Sequence, residues 1–241
     1  MSRTLPLSFL VVTPAMVGLL ACSPPPPPPD NPDNTPPAPT RQHVVPSVES
    51  EIGALDANKV QAVFDSAASD IKSCYERGVA RVPFMAGEIK LAIRVSEDGS
   101  TKHAFVKDST LGDRTTESCM LSAVKHRTWP KPQGGKEGTA ETSFMFEPGE
   151  DERPPVDWTE ANMGPAFQKA RSALNACRSS AGAGPMRVTL YVETDGKPMA
   201  VGIAGNDAKS EEAATCVVDA LMGLKLSSPG SYAAKVTVSL D

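Results

Sequence analysis

Histidine and aromatic residues are scarce: 3 His, 2 Trp, 3 Tyr and 7 Phe in 241 residues. No H-x-x-x-H pair occurs, so zinc-protease chemistry has no anchor. The motifs G-x-S-x-G, G-x-x-x-x-G-K-[ST] and G-x-G-x-x-G are also missing. Their absence removes the usual marks of a hydrolase elbow, a nucleotide loop and a dinucleotide fold. A basic excess is lacking too. With 24 Lys+Arg against 29 Asp+Glu the net charge is −5, which argues against a nucleic-acid binder. A non-enzyme without cofactor or metal is expected. Ser73 and Ser122, with many lysines in the chain, leave a hydrolase with a Ser-Lys dyad as a third reading.

Proline is plentiful but unevenly spread. Of 23 prolines, 11 lie between Pro24 and Pro46. Before them, Arg3 precedes an uncharged run from Leu5 to Ala21 that ends Leu19-Leu20-Ala21-Cys22-Ser23. A basic residue, an apolar stretch and then a small residue form a secretory signal pattern. The four residues ending at Cys22 resemble the bacterial lipobox, which implies lipidation of Cys22 and removal of residues 1–21. An uncleaved anchor is the alternative, though Pro6 and Pro14 interrupt the run. Several acyl chains on Cys22 would hold the protein to a membrane where one chain is marginal. Ser23, standing where Asp marks inner-membrane retention, favours the outer membrane by the same resemblance. Residues 22–52 then form a disordered tether. In polyproline II form some 25 residues would reach roughly 70–80 Å. His43 lies in this segment and has no partner residues nearby.

The remainder is built on an internal repeat. Val95-Ser96-Glu97-Asp98-Gly99 matches Val192-Glu193-Thr194-Asp195-Gly196, and Ser118-Cys119-Met120 matches Thr215-Cys216-Val217. Helical spacing collects Val60, Val63, Phe64, Ala67, Ile71, Cys74 and Tyr75 on one face, and Met163, Phe167, Ala170, Leu174 and Cys177 on its counterpart. Ile89, Leu91, Ile93 and Val95 alternate with Lys90, Ala92 and Arg94, as Val188, Leu190 and Val192 do with their neighbours. That is the period of a half-buried strand. Asp-Gly before a second strand is a hairpin signal. His103 falls on the outer face of that second strand, and His126 closes the second helix. The expected fold is α+β: two tandem α-β-β-α-β modules, each a three-stranded antiparallel sheet with two helices. Module 1 spans 53–148, an acidic Pro154-Pro155 linker 149–158, and module 2 159–241. Trp158 docks at the junction or caps the second module's first helix.

Four cysteines remain beside Cys22, two per repeat, and allow three pairings. Repeat equivalence selects Cys74 with Cys119 and Cys177 with Cys216. An exported chain meets conditions in which disulfides persist. Each bridge closes a loop of about 40–46 residues, worth ~4 kcal/mol in the chain-entropy model. A Cys₄ zinc site is the sharper alternative, but no C-x-x-C pair supports it.

Cys74-Tyr75-Glu76-Arg77, the Gly87-led strand, Asp98-Gly99, Cys119, Trp129-Pro130-Lys131-Pro132-Gln133-Gly134-Gly135 and Phe144-Met145-Phe146 follow one another in the first repeat. This series resembles the TonB C-terminal-like domain at the tail of bacterial gliding-motility proteins of the AgmX/PglI type. The second repeat keeps Cys177, Asp195-Gly196 and Cys216, but has Arg178 in place of the Tyr and only Ser228-Pro229-Gly230 in place of the loop. The resemblance implies an envelope interaction module. Because a lipid rather than a membrane span holds this chain, it does not imply an energy transducer. Trp129, Pro130, Thr142, Phe144, Met145 and Phe146 become the candidate partner-binding residues, through strand addition at the edge formed by residues 139–147. Two points stay open at this stage. That edge is either free or covered by module 2, and Trp129 either anchors a partner or packs under its own loop. The functional expectation is a lipid-anchored scaffold of an envelope assembly, motility- or transport-related, with an enzyme inhibitor or accessory subunit as the alternative. Protein partners and a membrane are expected, and nucleic acid is not.

Overall fold

The computed structural model describes residues 52–241, so the signal segment, Cys22 and nearly all of the tether lie outside the described residues. The described residues all belong to one compact unit. It is a mixed α+β fold with four helices and two sheets. The order helix, strand, strand, helix, strand occurs twice: α1 (Ala57–Val79), β1 (Gly87–Ser96), β2 (Thr101–Ser109), α2 (Arg114–Lys125) and β3 (Glu137–Phe146). A short strand β4 (Val156–Trp158) and a 3-10 turn follow. Then come α3 (Pro165–Ala181), β5 (Met186–Val192), β6 (Pro198–Gly205), α4 (Lys209–Met222) and β7 (Ala234–Leu240).

Local chemistry fixes the element ends. Asp56 caps α1 by accepting from the Lys59 N–H, and Asp113 caps α2 by accepting from Thr116. Each hairpin turns on the glycine after an aspartate. Gly99 and Gly196 have φ of 89° and 86°, and the aspartates accept from Ser100 and Lys197. The same two glycines receive the chain after the second helix. The Trp129 N–H donates to the Gly99 carbonyl and the Leu226 N–H to the Gly196 carbonyl, both at 2.9 Å. Disulfides join Cys74 to Cys119 and Cys177 to Cys216, pinning helix to helix in each repeat.

The first sheet is antiparallel in the order β2-β1-β3. The second departs from the expected three antiparallel strands. It has four, in the order β4-β7-β5-β6, because part of the 149–158 linker pairs parallel to β7. Trp158, at the end of β4, is half-buried against the second core and takes no place at the junction of the repeats. The repeat explains the extra strand. The Val156 N–H donates to the Ala233 carbonyl just as Gly53 donates to that of Glu137, so each repeat's leading segment lies beside its last strand.

The two repeats pack through β2, β6 and the loop at 80–86. Phe84 packs on Tyr191, whose hydroxyl accepts from the Ala86 N–H, and Lys235 donates to the Ala86 carbonyl at 2.7 Å. Burial pushes the Tyr191 phenol up to about 12 and lowers Lys235. Asp108 pairs with Arg187, and Arg114 with Glu211. β5 and β6 are thus covered on both faces, where the sequence pattern signalled one.

Candidate functional site

A sheet edge with unpaired backbone groups is a template for another strand. Three edge strands, β2, β6 and β3, are long enough to matter. β2 and β6 pack against each other, and one outward N–H on each is taken by a side chain of the other repeat. The Val106 N–H on β2 donates to Glu211 of α4 at 3.0 Å, and the Ile203 N–H on β6 donates to Glu117 of α2 at 2.8 Å. Val106 and Ile203 are repeat equivalents, each the eighth residue after the Asp of its hairpin turn. Each repeat therefore lends a carboxylate from the start of its second helix to the other's open edge.

Glu117 is completely buried. Ser109 Oγ donates to its Oε1 at 2.7 Å, and Arg114 and Asp113 are its charged neighbours. Desolvation raises its carboxyl to about 7, against the pull of the Ser109 and Ile203 hydrogen bonds. Gly202 makes this approach possible. A Cβ there would stand 2.3 Å from Glu117 Oε1 and 2.7 Å from Gly112 Cα.

The β3 edge is different. Its first residue is occupied by Gly53, and the register along β1 runs without a shift from Glu137 to Phe146. In a regular strand the N–H and C=O of one residue point to the same side and alternate along the chain. The Glu137 carbonyl faces outward to Gly53, so those of Thr139, Glu141, Ser143 and Met145 face outward as well. No backbone partner lies along this stretch among the described residues. The second repeat covers β2, not β3, which answers the question left open by the sequence. The matching strand β7 is shorter, and β4 pairs with it over Ala234–Val236.

The candidate partner-binding residues divide accordingly. Met145 is 67% exposed. Thr142, Phe144 and Phe146 are half-buried on the helix-facing side, with Phe146 stacked on Tyr75 at 4.4 Å between ring centres. Pro130 is half-buried. Trp129 is only 3% exposed: it meets Phe64 edge-on and donates its indole N–H to Thr101 Oγ1. The reading of Trp129 as a displayed anchor gives way to packing under the loop. Buried Leu226 holds the same place in the second repeat, and that equivalence was the available signal. Sequence reasoning missed Glu117 and Glu211, because carboxylates in a helix's first turns are ordinary.

Ser73 and Ser122 line a shallow cleft with Asp70, Cys74, Arg77, Cys119 and Ala123, and no lysine borders it. No group of three His, Cys, Asp or Glu residues is placed to hold a metal among the described residues. No helix among them is long and apolar enough to cross a membrane. No family profile, curated protein or solved structure matches the chain.

Proposed function

We propose that the protein is a lipid-anchored interaction or scaffold component of a bacterial envelope assembly, built of two TonB C-terminal-like modules. It would be held through Cys22 at the outer membrane and would bind a partner by strand addition at β3. The observation that carries this reading is the contrast among edges: β2 and β6 pack against each other and give one N–H each to Glu211 and Glu117, while the outward backbone groups of β3 from Thr139 to Met145 have no backbone partner among the described residues. Proteins usually blunt such edges, so one left open from Thr139 to Met145 of a ten-residue strand points to use. The second module then serves as a fixed brace on the first.

Met145→Pro removes one outward donor while leaving the core-facing side chains in place. In the full chain, with circular dichroism unchanged, capture of a discrete partner by in-cell crosslinking should be lost. Undiminished capture by the folded variant overturns the strand-addition reading. Cys22→Ser tests the anchor separately: it should abolish acyl labelling, and persistent labelling refutes the lipobox.

A further inference from the structure

The two disulfides are repeat equivalents and Cys216 is more exposed than Cys119, but among the described residues a cation donates to the sulfurs of the first bridge alone. Arg77 lies one turn after Cys74 on α1. Its Nη2 donates to Cys119 Sγ at 2.9 Å and to Cys74 Sγ at 3.5 Å. It forms no ion pair with a carboxylate among the described residues. Nearby Glu76 pairs with Lys72, and Asp70 with Arg127. The guanidinium charge is therefore spent on the two sulfurs. Ser180 stands where Arg77 would be in the second repeat, and its hydroxyl turns to the Cys177 carbonyl at 2.9 Å. Arg178, next to Cys177 on α3, donates to the Ala183 carbonyl instead.

Exposure separates the roles within the first bridge. Cys74 is 3% exposed, while Cys119 is half-exposed and borders the cleft with Ser73, Arg77 and Ser122. A neighbouring cation favours thiolate over thiol, and the thiolate is the nucleophile in exchange. We propose that Cys74–Cys119 is an exchange-competent redox pair, with Cys119 the entry thiol and Arg77 the cation that holds it as thiolate, whereas Cys177–Cys216 is an inert brace.

The exchange partner is a disulfide or dithiol reaching the cleft. In the oxidising direction the Cys119 thiolate attacks one sulfur of R–S–S–R′, and R′–S⁻ leaves with the electron pair. Cys74, after losing its proton to water, attacks Cys119 Sγ and expels R–S⁻. Two protein thiols become one disulfide, and the partner disulfide is reduced to two thiols. In reverse, a dithiol attacks at Cys119, and Cys119 leaves last, as the thiolate that Arg77 stabilises.

The test uses the full chain with glutathione and iodoacetamide as probes. In Cys74→Ser, the pH midpoint for alkylation of Cys119 should lie below the ~8.5 of an ordinary thiol. Adding Arg77→Gln should raise it by about one unit or more, slowing alkylation at pH 7 roughly tenfold, and Arg77→Lys should restore most of the rate. Cys216 in Cys177→Ser should show an ordinary midpoint. A Cys119 midpoint indifferent to Arg77→Gln, or one matched by Cys216, overturns the proposal. The fully bridged protein gives a second readout that needs no cysteine variant. Under limiting glutathione, peptide mapping should find Cys74–Cys119 opened first and the adduct on Cys119. Opening of both bridges at one rate, unchanged by Arg77→Gln, also overturns it.

Discussion

The backs of the two sheets are made from the same pattern and put to opposite uses. In the first, the outward residues of β1 and β2 include Lys90, Ala92, Arg94, His103, Phe105 and Lys107. At the equivalent places the second has Arg187, Thr189, Tyr191, Ala200, Gly202 and Ala204. Two of the partnerships match: Ala92 opposes Phe105 as Thr189 opposes Gly202, and Arg94 opposes His103 as Tyr191 opposes Ala200, whereas a register shift sets Lys90 opposite Asp108 where Arg187 faces Ala204. The first back carries cross-strand ion pairs of Lys90 and Lys107 with Glu141, and of Arg94 and Lys102 with Glu137. Tyr191 is buried in the first repeat's core on the second back, while Ala200 and Ala204 line the same contact. Strand period decides only which residues face outward. Whether that face meets water or protein depends on side-chain size, and Gly202 in place of Phe105 is the largest single difference.

The most damaging way to break this contrast is Gly202→Phe, which gives the second back the residue of the first. The nearest obstacles are Glu117 and the Gly112 backbone, and backbone cannot swing aside as a flexible side chain can. Overpacking of this kind costs about 3 kcal/mol or more. The thermal midpoint should fall by roughly 6–12 °C, with protease sensitivity rising at the loop 80–86. The reciprocal Phe105→Gly, on the open back, should cost about 1 kcal/mol, mostly from strand entropy. Equal losses from the two variants would refute the claim that the backs differ in packing.

These relations explain which parts of the fold were legible. Helix faces such as Phe64-Ala67-Ile71-Cys74 and the two Asp-Gly turns follow from period and turn chemistry, which act within a few residues. The cysteine pairs followed from the repeat, since equivalent positions have equivalent neighbours. The packing of one repeat on the other was harder to see. Its signal was the run of small outward residues Ala200, Gly202 and Ala204, and a small residue says that something approaches without naming what. β4 is hidden in a segment with the marks of a linker, since Pro154-Pro155 and three acidic residues precede it and only Val156–Trp158 pair. At the candidate site, the β3 strand was predictable, but its freedom was not, because that depends on where the second repeat sits.

A finer cut is chemical. Glu117 joins the repeats through Ile203 and Ser109, and its carboxyl is raised from 4.5 to about 7 by burial. Where the folded pKa exceeds the unfolded one, the native state binds the proton more tightly. The favourable contribution is then complete below the unfolded value and lost as pH rises through the folded one. Stability should therefore decline between about pH 5 and 8, by up to about 3 kcal/mol. Glu117→Gln keeps an acceptor for Ile203 and cannot ionise, so this decline should flatten. Urea titrations at pH 5, 6.5 and 8 decide it. An unchanged slope in the variant would mean that Glu117 does not titrate in this range.

The mildest change belongs on the open back. Glu141 accepts from Lys107 at 2.5 Å and from Lys90 at 3.0 Å, bridging β3 to its neighbours on a face open to solvent. Partly exposed ion pairs gain little, because water already solvates the separated charges and the long lysines lose freedom on pairing. Glu141→Gln should therefore cost under about 1 kcal/mol. The loss should shrink further when salt is raised from 0.1 to 1 M, where screening shortens from ~10 to ~3 Å. Glu141 also lies on β3, with its backbone groups turned outward, so a side-chain change there leaves the edge donors untouched. Partner capture should survive Glu141→Gln while Met145→Pro abolishes it. A large, salt-independent loss of stability would instead show that Glu141 is held as tightly as Glu117, and the division between an open and a closed back would fail at that residue.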